Sequence, residues 1–119
     1  ISLLALYRKA TTFIHLAYLD HCPNVVVDAR ASGCEIICSD SGGTREIAGI
    51  NATLVCEKNT WDFSPINLYS PPELDFKNTT KNTIDSNIDI KEVCKSYINA
   101  FNNVKKKYEN DAFLDEMIG

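Results

Sequence analysis

The chain has 119 residues, of which 45% are hydrophobic and 24% are charged, and its formal net charge is −4 at pH 7. This length and composition are typical of one globular domain with a modest core. The acidic balance argues against a nucleic-acid-binding protein, because contacts to phosphates need clustered Lys and Arg side chains. No apolar run approaches the ~18 residues of a membrane span, so we expect no transmembrane segment.

The cysteine pattern argues against a disulfide framework. There are five cysteines, an odd number, and no two of them have the C-x-x-C spacing. We therefore expect a reducing compartment, which is the cytoplasm, including its membrane face. The chain begins with Ile1 inside an apolar segment, and we interpret it as a fragment of a longer protein.

The first third of the chain predicts a helix, a strand and a second helix. Ser2 to Lys9 has the apolar spacing of a short helix, and Phe13 to Ala17 is an apolar run typical of a strand. A polar loop follows, and Asn24 is a plausible N-cap for a helix over Val25 to Ser32. Gly33 is the expected left-handed stop of that helix.

Two more strands are predicted after this helix. Glu35 to Cys38 and Thr53 to Cys56 are short apolar runs, and a turn at Ser39 to Gly43 with one helical turn at Thr44 to Ala48 lies between them. The long connection between the first two strands suits a parallel crossover. Because ligands of open parallel sheets bind at the carboxyl ends of the strands, we expect the loops at Asp20 and at Asp40 to Gly43 to face one crevice.

We therefore predict an α/β fold, a Rossmann-like parallel sheet with flanking helices, organised as one domain. Residues 1–56 form its core, and 57–88 form an irregular segment whose aromatic side chains pin it by packing, with an aromatic platform for a sugar as the alternative. Residues 89–119 form C-terminal helices that pack on the core. The periodicity predicts one helix over Asp89 to Tyr108, with a capping box at its start, and a short one over Phe113 to Ile118. The large apolar side chains of the irregular segment are Trp61, Phe63, Leu68, Tyr69, Leu74 and Phe76.

Three features of the first 50 residues could carry chemistry. The amides of Asn24 and Val25, at a helix start, make a potential anion site, with an ordinary helix start as the alternative. Asp20 and Asp28 are suited to the hydroxyls of a ribose or a sugar, with solvated surface carboxylates as the alternative. The glycine pair at residues 42–43 allows close approach of a ligand, or simply forms a turn.

The two histidines are too few for a metal site. His15, at a strand centre, is interpreted as a core or sheet-end histidine. His21, beside Asp20, is either a polar contact in the crevice or an exposed side chain without a role.

The run from Asp20 to Ile47 resembles the donor-binding half of the group 1 retaining glycosyltransferases with the GT-B fold. The family pattern reads E-G-x-P-N-V-x-x-E-A-x-A-x-G-x-P-V-V-x-S-D-x-G-G-x-x-E-I, and this chain has DHCPNVVVDARASGCEIICSDSGGTREI. The helix at Leu6 to Ala10 is also similar, and the resemblance covers roughly residues 3 to 56. The motif is long and its spacing is intact, and the fold that it implies is part of the C-terminal half of a GT-B fold.

The resemblance implies a metal-independent enzyme of carbohydrate biosynthesis, without a cofactor, that transfers a sugar from a nucleotide-diphosphate sugar to a glycan or lipid-linked acceptor. Asp20 would lie against the transferred sugar as the catalytic residue, with His21 beside it. Asp28 would hold the ribose hydroxyls. The amides of Asn24 and Val25 would face the diphosphate. Gly42 and Gly43 would line the same crevice.

The chain departs from the family pattern at several positions. Asp20 and Asp28 stand where the family usually has Glu, and His21 and Glu35 replace a common Gly and Pro. The N-terminal acceptor-binding domain and the upstream basic residues for the diphosphate are missing, so we expect the chain alone to have little or no transferase activity. The alternatives are a non-catalytic Rossmann-like interaction module with a degenerate donor site, and a related sugar-nucleotide epimerase.

Overall fold

A computed structural model describes residues 2–59, 64–65, 67 and 69–118. For residues 113, 114 and 118 it describes the backbone only. The chain divides into two compact units, one ending at Ser86 and the other beginning at Asn87. The prediction that residues 89–119 pack on the core stays a prediction.

The first unit contains one four-stranded sheet in the order β1-β2-β3-β4. Strands β1 (Thr12–His15), β2 (Glu35–Ser39) and β3 (Thr53–Glu57) are parallel, and β4 (Leu74–Lys81) runs antiparallel to β3. The register pairs His15 with Cys38 and Ser39 with Val55. The carboxyl ends of the three parallel strands therefore lie along one edge of the sheet, and the α/β, Rossmann-like fold class is confirmed.

Three helices accompany the sheet: α1 (Leu3–Lys9), α2 (Asn24–Ala31) and the single turn α3 (Thr44–Ile47). Helix α2 is central, because it contacts α1, α3, β1 and β2. Apolar side chains from the helices, the strands and the segments that join them form the core, whose buried members are Tyr7, Val26, Ala29, Cys34, Ile36, Cys38, Ala48, Ala52 and Leu54. The core therefore holds α2 firmly against the strands that precede the two loops.

The ends of the first two helices are largely as predicted. The Ser2 hydroxyl accepts a hydrogen bond from the Ala5 amide, and Gly33 has φ +90° just after α2. Asn24 is not the N-cap, because the helix already includes it and Pro23 takes the cap position. Proline at this point has the extended backbone of a cap but no side-chain acceptor, so the first amides of α2 lack a side-chain cap.

Strand β4 lies inside the segment that was expected to be irregular. Only its first two residues are partly buried, and the others are exposed. Its first half alternates apolar and polar residues, Leu74 and Phe76 with Asp75 and Lys77, whereas residues 78–81 are all polar. Only half of the strand therefore has the period of a strand. Of the side chains predicted to pin this segment by packing, Trp61, Phe63 and Leu68 lie outside the described residues. Tyr69 and Phe76 are exposed, so the prediction is wrong for these two aromatic side chains.

The second unit is a single helix, α4 (Ile90–Ile118), of 29 residues. The Asp89 carboxylate accepts a hydrogen bond from the Lys91 amide at its start, whereas the Glu92 side chain pairs with Lys95. The predicted break after Tyr108 is absent, because residues 109–112 interrupt the apolar stripe but contain no Pro or Gly to end the helix. Among the described residues, no helix combines the length and the apolar character needed to cross a membrane.

Candidate functional site

The loops after β1 and β2 are joined by hydrogen bonds at the carboxyl edge of the sheet. The Gly43 amide donates to the Asp20 carbonyl oxygen at 2.9 Å, and the Leu19 amide donates to Ser41 Oγ at 2.7 Å. The Ser39 hydroxyl donates to the Ala17 carbonyl at 3.0 Å. The prediction that the two loops meet is therefore confirmed.

The glycine pair permits this approach of the two loops. Gly42 has φ +66°, and a Cβ atom there would lie 2.5 Å from the Asp20 carbonyl oxygen. A Cβ atom at Gly43 would collide with the His21 carbonyl oxygen. Only glycine leaves room for backbone this close. In this structure the glycines are needed for loop-to-loop packing, and their contact with a ligand stays a prediction.

The carboxylate of Asp20 is oriented by a histidine from the preceding strand. His15 Nε2 lies 3.1 Å from Asp20 Oδ2, and the side chains are 16% and 35% exposed respectively. The His15 ring also stacks on Phe13, with centroids 6.4 Å apart and planes 12° apart. His15 therefore lies at the sheet end, one of the two positions expected from the sequence, and its partner is a predicted site residue.

The start of α2 carries the other predicted polar groups. Asn24 and Asp28 lie four positions apart on α2, so their side chains share one helix face. Val25 is 36% exposed, and Pro23, the cap residue, is buried. The helix dipole places partial positive charge at this end. His21 is exposed in the loop just before the helix.

A cleft of about 400 Å³ opens along the same edge of the sheet. Its wall includes the loop after β1 at Tyr18, the loop after β2 from Asp40 to Gly42, and the end of β3 at Glu57. Of the predicted site residues, Gly42 lines this cleft, whereas Asp20, His21, Asn24, Val25, Asp28 and Gly43 are outside its lining. The carboxyl edge therefore has two parts, the cleft and the start of α2.

Charges around the loop after β2 are balanced locally. Arg45 Nη1 donates to Asp40 Oδ1 at 3.0 Å. Beneath the loop, Cys38 is fully buried, and burial, with a smaller effect from the nearby Asp40 carboxylate, raises the pKa of its thiol to about 11. Cys38 is therefore a protonated, apolar part of the core at neutral pH.

Sequence reasoning did not single out several residues of this edge. Ser39 and Ser41 join the two loops, and Tyr18 and Glu57 line the cleft. Their location in the sequence could have identified them, because each residue lies at or just after the end of a predicted strand. In a parallel sheet, side chains at these positions reach a common edge.

Metal binding has no ready set of ligands in the part of the chain that is described. No three His, Cys, Asp or Glu side chains among those residues are grouped as a metal site would require.

A family model described as glycosyl transferases group 1 matches residues 2–63, slightly more than half of the chain. The match contains β1 to β3, α2 and all seven predicted site residues. No curated protein and no solved structure matches the chain. The matched length and the parallel sheet beneath it lead to one conclusion: the chain belongs to the group 1 glycosyltransferase family.

Proposed function

We propose that this chain is the donor-binding, C-terminal part of a retaining glycosyltransferase with the GT-B fold, and that it binds a nucleotide-diphosphate sugar at the carboxyl edge of its sheet. The observation that carries the proposal is the meeting of the Asp20 and Gly43 loops beside the start of α2. Family membership supports transfer of a sugar as the reaction.

The start of α2 suits the diphosphate. Its first amides lack a side-chain cap, and the helix dipole favours an anion there. Donors that are fixed before the reaction begins stabilise the negative charge that develops on a leaving diphosphate. Asn24 and Val25 are the residues proposed to face this group, and transfer by this route needs no metal ion or other cofactor.

The two carboxylates suit the hydroxyl groups of the donor. Asp28 lies one turn along α2, in reach of a ribose whose phosphates lie at the helix start. Asp20 is held by His15 through one carboxylate oxygen, which leaves Oδ1 for the transferred sugar. His21, Gly42 and Gly43 complete the proposed binding residues, and a glycan or lipid-linked molecule held by an acceptor domain is the proposed second substrate.

Calorimetric titration with UDP, GDP and ADP tests the nucleotide part of the proposal. We expect one of them to bind, and Asp28→Ala to lower its affinity at least about tenfold, since a hydrogen bond to a charged group contributes ~1.5–3 kcal/mol. Asp111→Ala, an equal change of charge at an exposed position of α4, is the matched control. If none of the three binds, or if Asp28→Ala and Asp111→Ala bind equally well, the proposal is wrong.

A further inference from the structure

The cleft beside Gly42 differs chemically from the start of α2. Its polar side chains include two carboxylates, Asp40 and Glu57, and the neutral groups of Ser41 and Asn59. Tyr18 adds an aromatic side chain to the wall. The described residues that line this cleft include no Lys or Arg.

Two basic side chains that lie close to lining residues in the sequence are paired with carboxylates. Arg45 donates to Asp40 at 3.0 Å, and Lys58, which follows Glu57, pairs with Glu73, which immediately precedes β4. Glu57 is half-buried. Because Arg45 balances the charge of Asp40, a phosphate or a carboxylate in the cleft would meet the negative charge of Glu57, without a cation from the described lining to offset it.

The same lining suits a ligand rich in hydroxyl groups. Carboxylates, hydroxyls and amides accept hydrogen bonds from hydroxyls or donate to them, and an aromatic side chain covers the apolar face of a ring. The volume of about 400 Å³ falls in the ~300–1,000 Å³ range of small-molecule sites.

A second cavity of about 210 Å³ continues the cleft. The two share Tyr18, Ser41 and Glu57, and the wall of the second includes Pro71 and Pro72. Tyr18 and Glu57 therefore border both spaces, which makes them the best side chains to test.

We propose that this cleft binds an uncharged sugar ring, and that Tyr18 and Glu57 are its binding residues. The inference rests on the function proposed above, and it adds that the sugar is neutral and that the diphosphate lies elsewhere, at the start of α2. The sugar is that of the donor or that of the acceptor, because both present the same hydroxyl chemistry.

The test follows backbone amide signals of the full chain during titration with methyl α-glucoside, methyl α-galactoside, methyl α-mannoside and glucuronic acid. We expect a neutral glycoside to shift the amides of Leu19, Gly42 and Glu57. Glucuronate should bind about three- to tenfold more weakly at low salt, because it meets like charge.

Glu57→Gln keeps the shape of the side chain and removes its charge. It should lower the affinity for the neutral glycoside several-fold and reduce the difference in affinity between the glycoside and glucuronate. A merely structural change would not reduce that difference. Tyr18→Leu should lower the affinity for both the neutral glycoside and glucuronate. Glu109→Gln, an exposed position on α4, is the matched control and should change neither.

Two further arms identify the source of the sugar. Binding of the methyl glycoside that persists with a saturating sugar nucleotide assigns the cleft to the acceptor. Displacement of the glycoside by the sugar nucleotide, but not by the nucleotide alone, assigns it to the donor. The inference is overturned if no neutral sugar shifts these amides, or if Glu57→Gln leaves both affinities unchanged. Shifts at residues 24–28 with nucleotide alone would then still support the proposed function.

Discussion

His15 Nε2 lies 3.1 Å from Asp20 Oδ2, and His15 is the last residue of β1. The strand thus fixes the carboxylate that the family resemblance places against the transferred sugar. Asp is one methylene shorter than the Glu usual at this position, so its placement depends on the backbone of the loop and on this hydrogen bond. The contact makes His15 a positioning residue for Asp20.

Replacing His15 separates its hydrogen bond from its ring. His15→Phe keeps a ring that can stack on Phe13 but removes the donor, and His15→Gln keeps an N–H group. We expect His15→Phe to lower affinity for the sugar nucleotide about two- to tenfold, in line with one hydrogen bond, and to leave affinity for the nucleotide alone unchanged. Calorimetry with both ligands measures this difference.

Partial recovery in His15→Gln would support the positioning role. An equal loss of affinity for both ligands in His15→Phe would contradict it.

The close approach of the two loops predicts an unequal effect of two glycine substitutions. Gly33 has φ +90°, and a Cβ atom there would have nothing within 4 Å, so Gly33→Ala costs only the backbone strain of ~1–2 kcal/mol. Gly42→Ala adds a collision with the Asp20 carbonyl to a similar strain. We expect the free energy of unfolding of Gly42→Ala, measured in urea, to be lower than that of Gly33→Ala by at least about 1 kcal/mol. Equal losses of stability would show that the loops separate at little cost.

The buried thiol of Cys38 predicts a loss of stability at alkaline pH. Its pKa is raised from 9.0 to about 11, so the folded protein binds this proton more tightly than the unfolded chain does. The stabilising contribution of the protonated thiol is full below pH 9 and is lost between pH 9 and about 11, with a total of about 3 kcal/mol. Unfolding free energies measured from about pH 7 to 11 should fall less steeply in Cys38→Ala than in the unchanged protein, and parallel curves would contradict this account.

Asn82 ties the end of β4 to the helix after β2. Its side-chain amide donates to the carbonyls of Arg45 at 2.7 Å and Gly49 at 2.9 Å, and the residue is 2% exposed. Asn82→Ala leaves both acceptors without this donor and should cost about 2–4 kcal/mol. Thr83→Ala, at the exposed neighbouring position, should cost less than ~0.5 kcal/mol. Similar unfolding midpoints for the two variants would rule out the anchoring role.

The parallel core was predictable because its signals are local and agree with one another. The apolar runs at β1, β2 and β3, the stop at Gly33 and the long crossover all favour one arrangement. Strand β4 was missed because only its first four residues alternate apolar and polar side chains, and because its pairing with β3 is a tertiary property.

At the candidate site, the sequence predicted which loops meet but not how. The hydrogen bond from His15 to Asp20 spans only five residues, yet it depends on the path of the loop after β1, where Leu19 has φ 51°. The cleft beside Gly42 combines residues from three strand ends that lie up to about forty positions apart. Neither arrangement has a period or a motif in the chain.

The most direct test of the central claim is residue-resolved mapping of nucleotide binding by amide chemical shifts. The full chain is titrated with UDP and GDP and with their sugar derivatives, at constant pH and ionic strength. We expect the nucleotide to shift the amides of Asn24, Val25 and Asp28, and the sugar derivative to extend the shifts to Asp20 and Gly43. Saturable binding that shifts amides elsewhere and leaves residues 20–28 and 42–43 unchanged would contradict it.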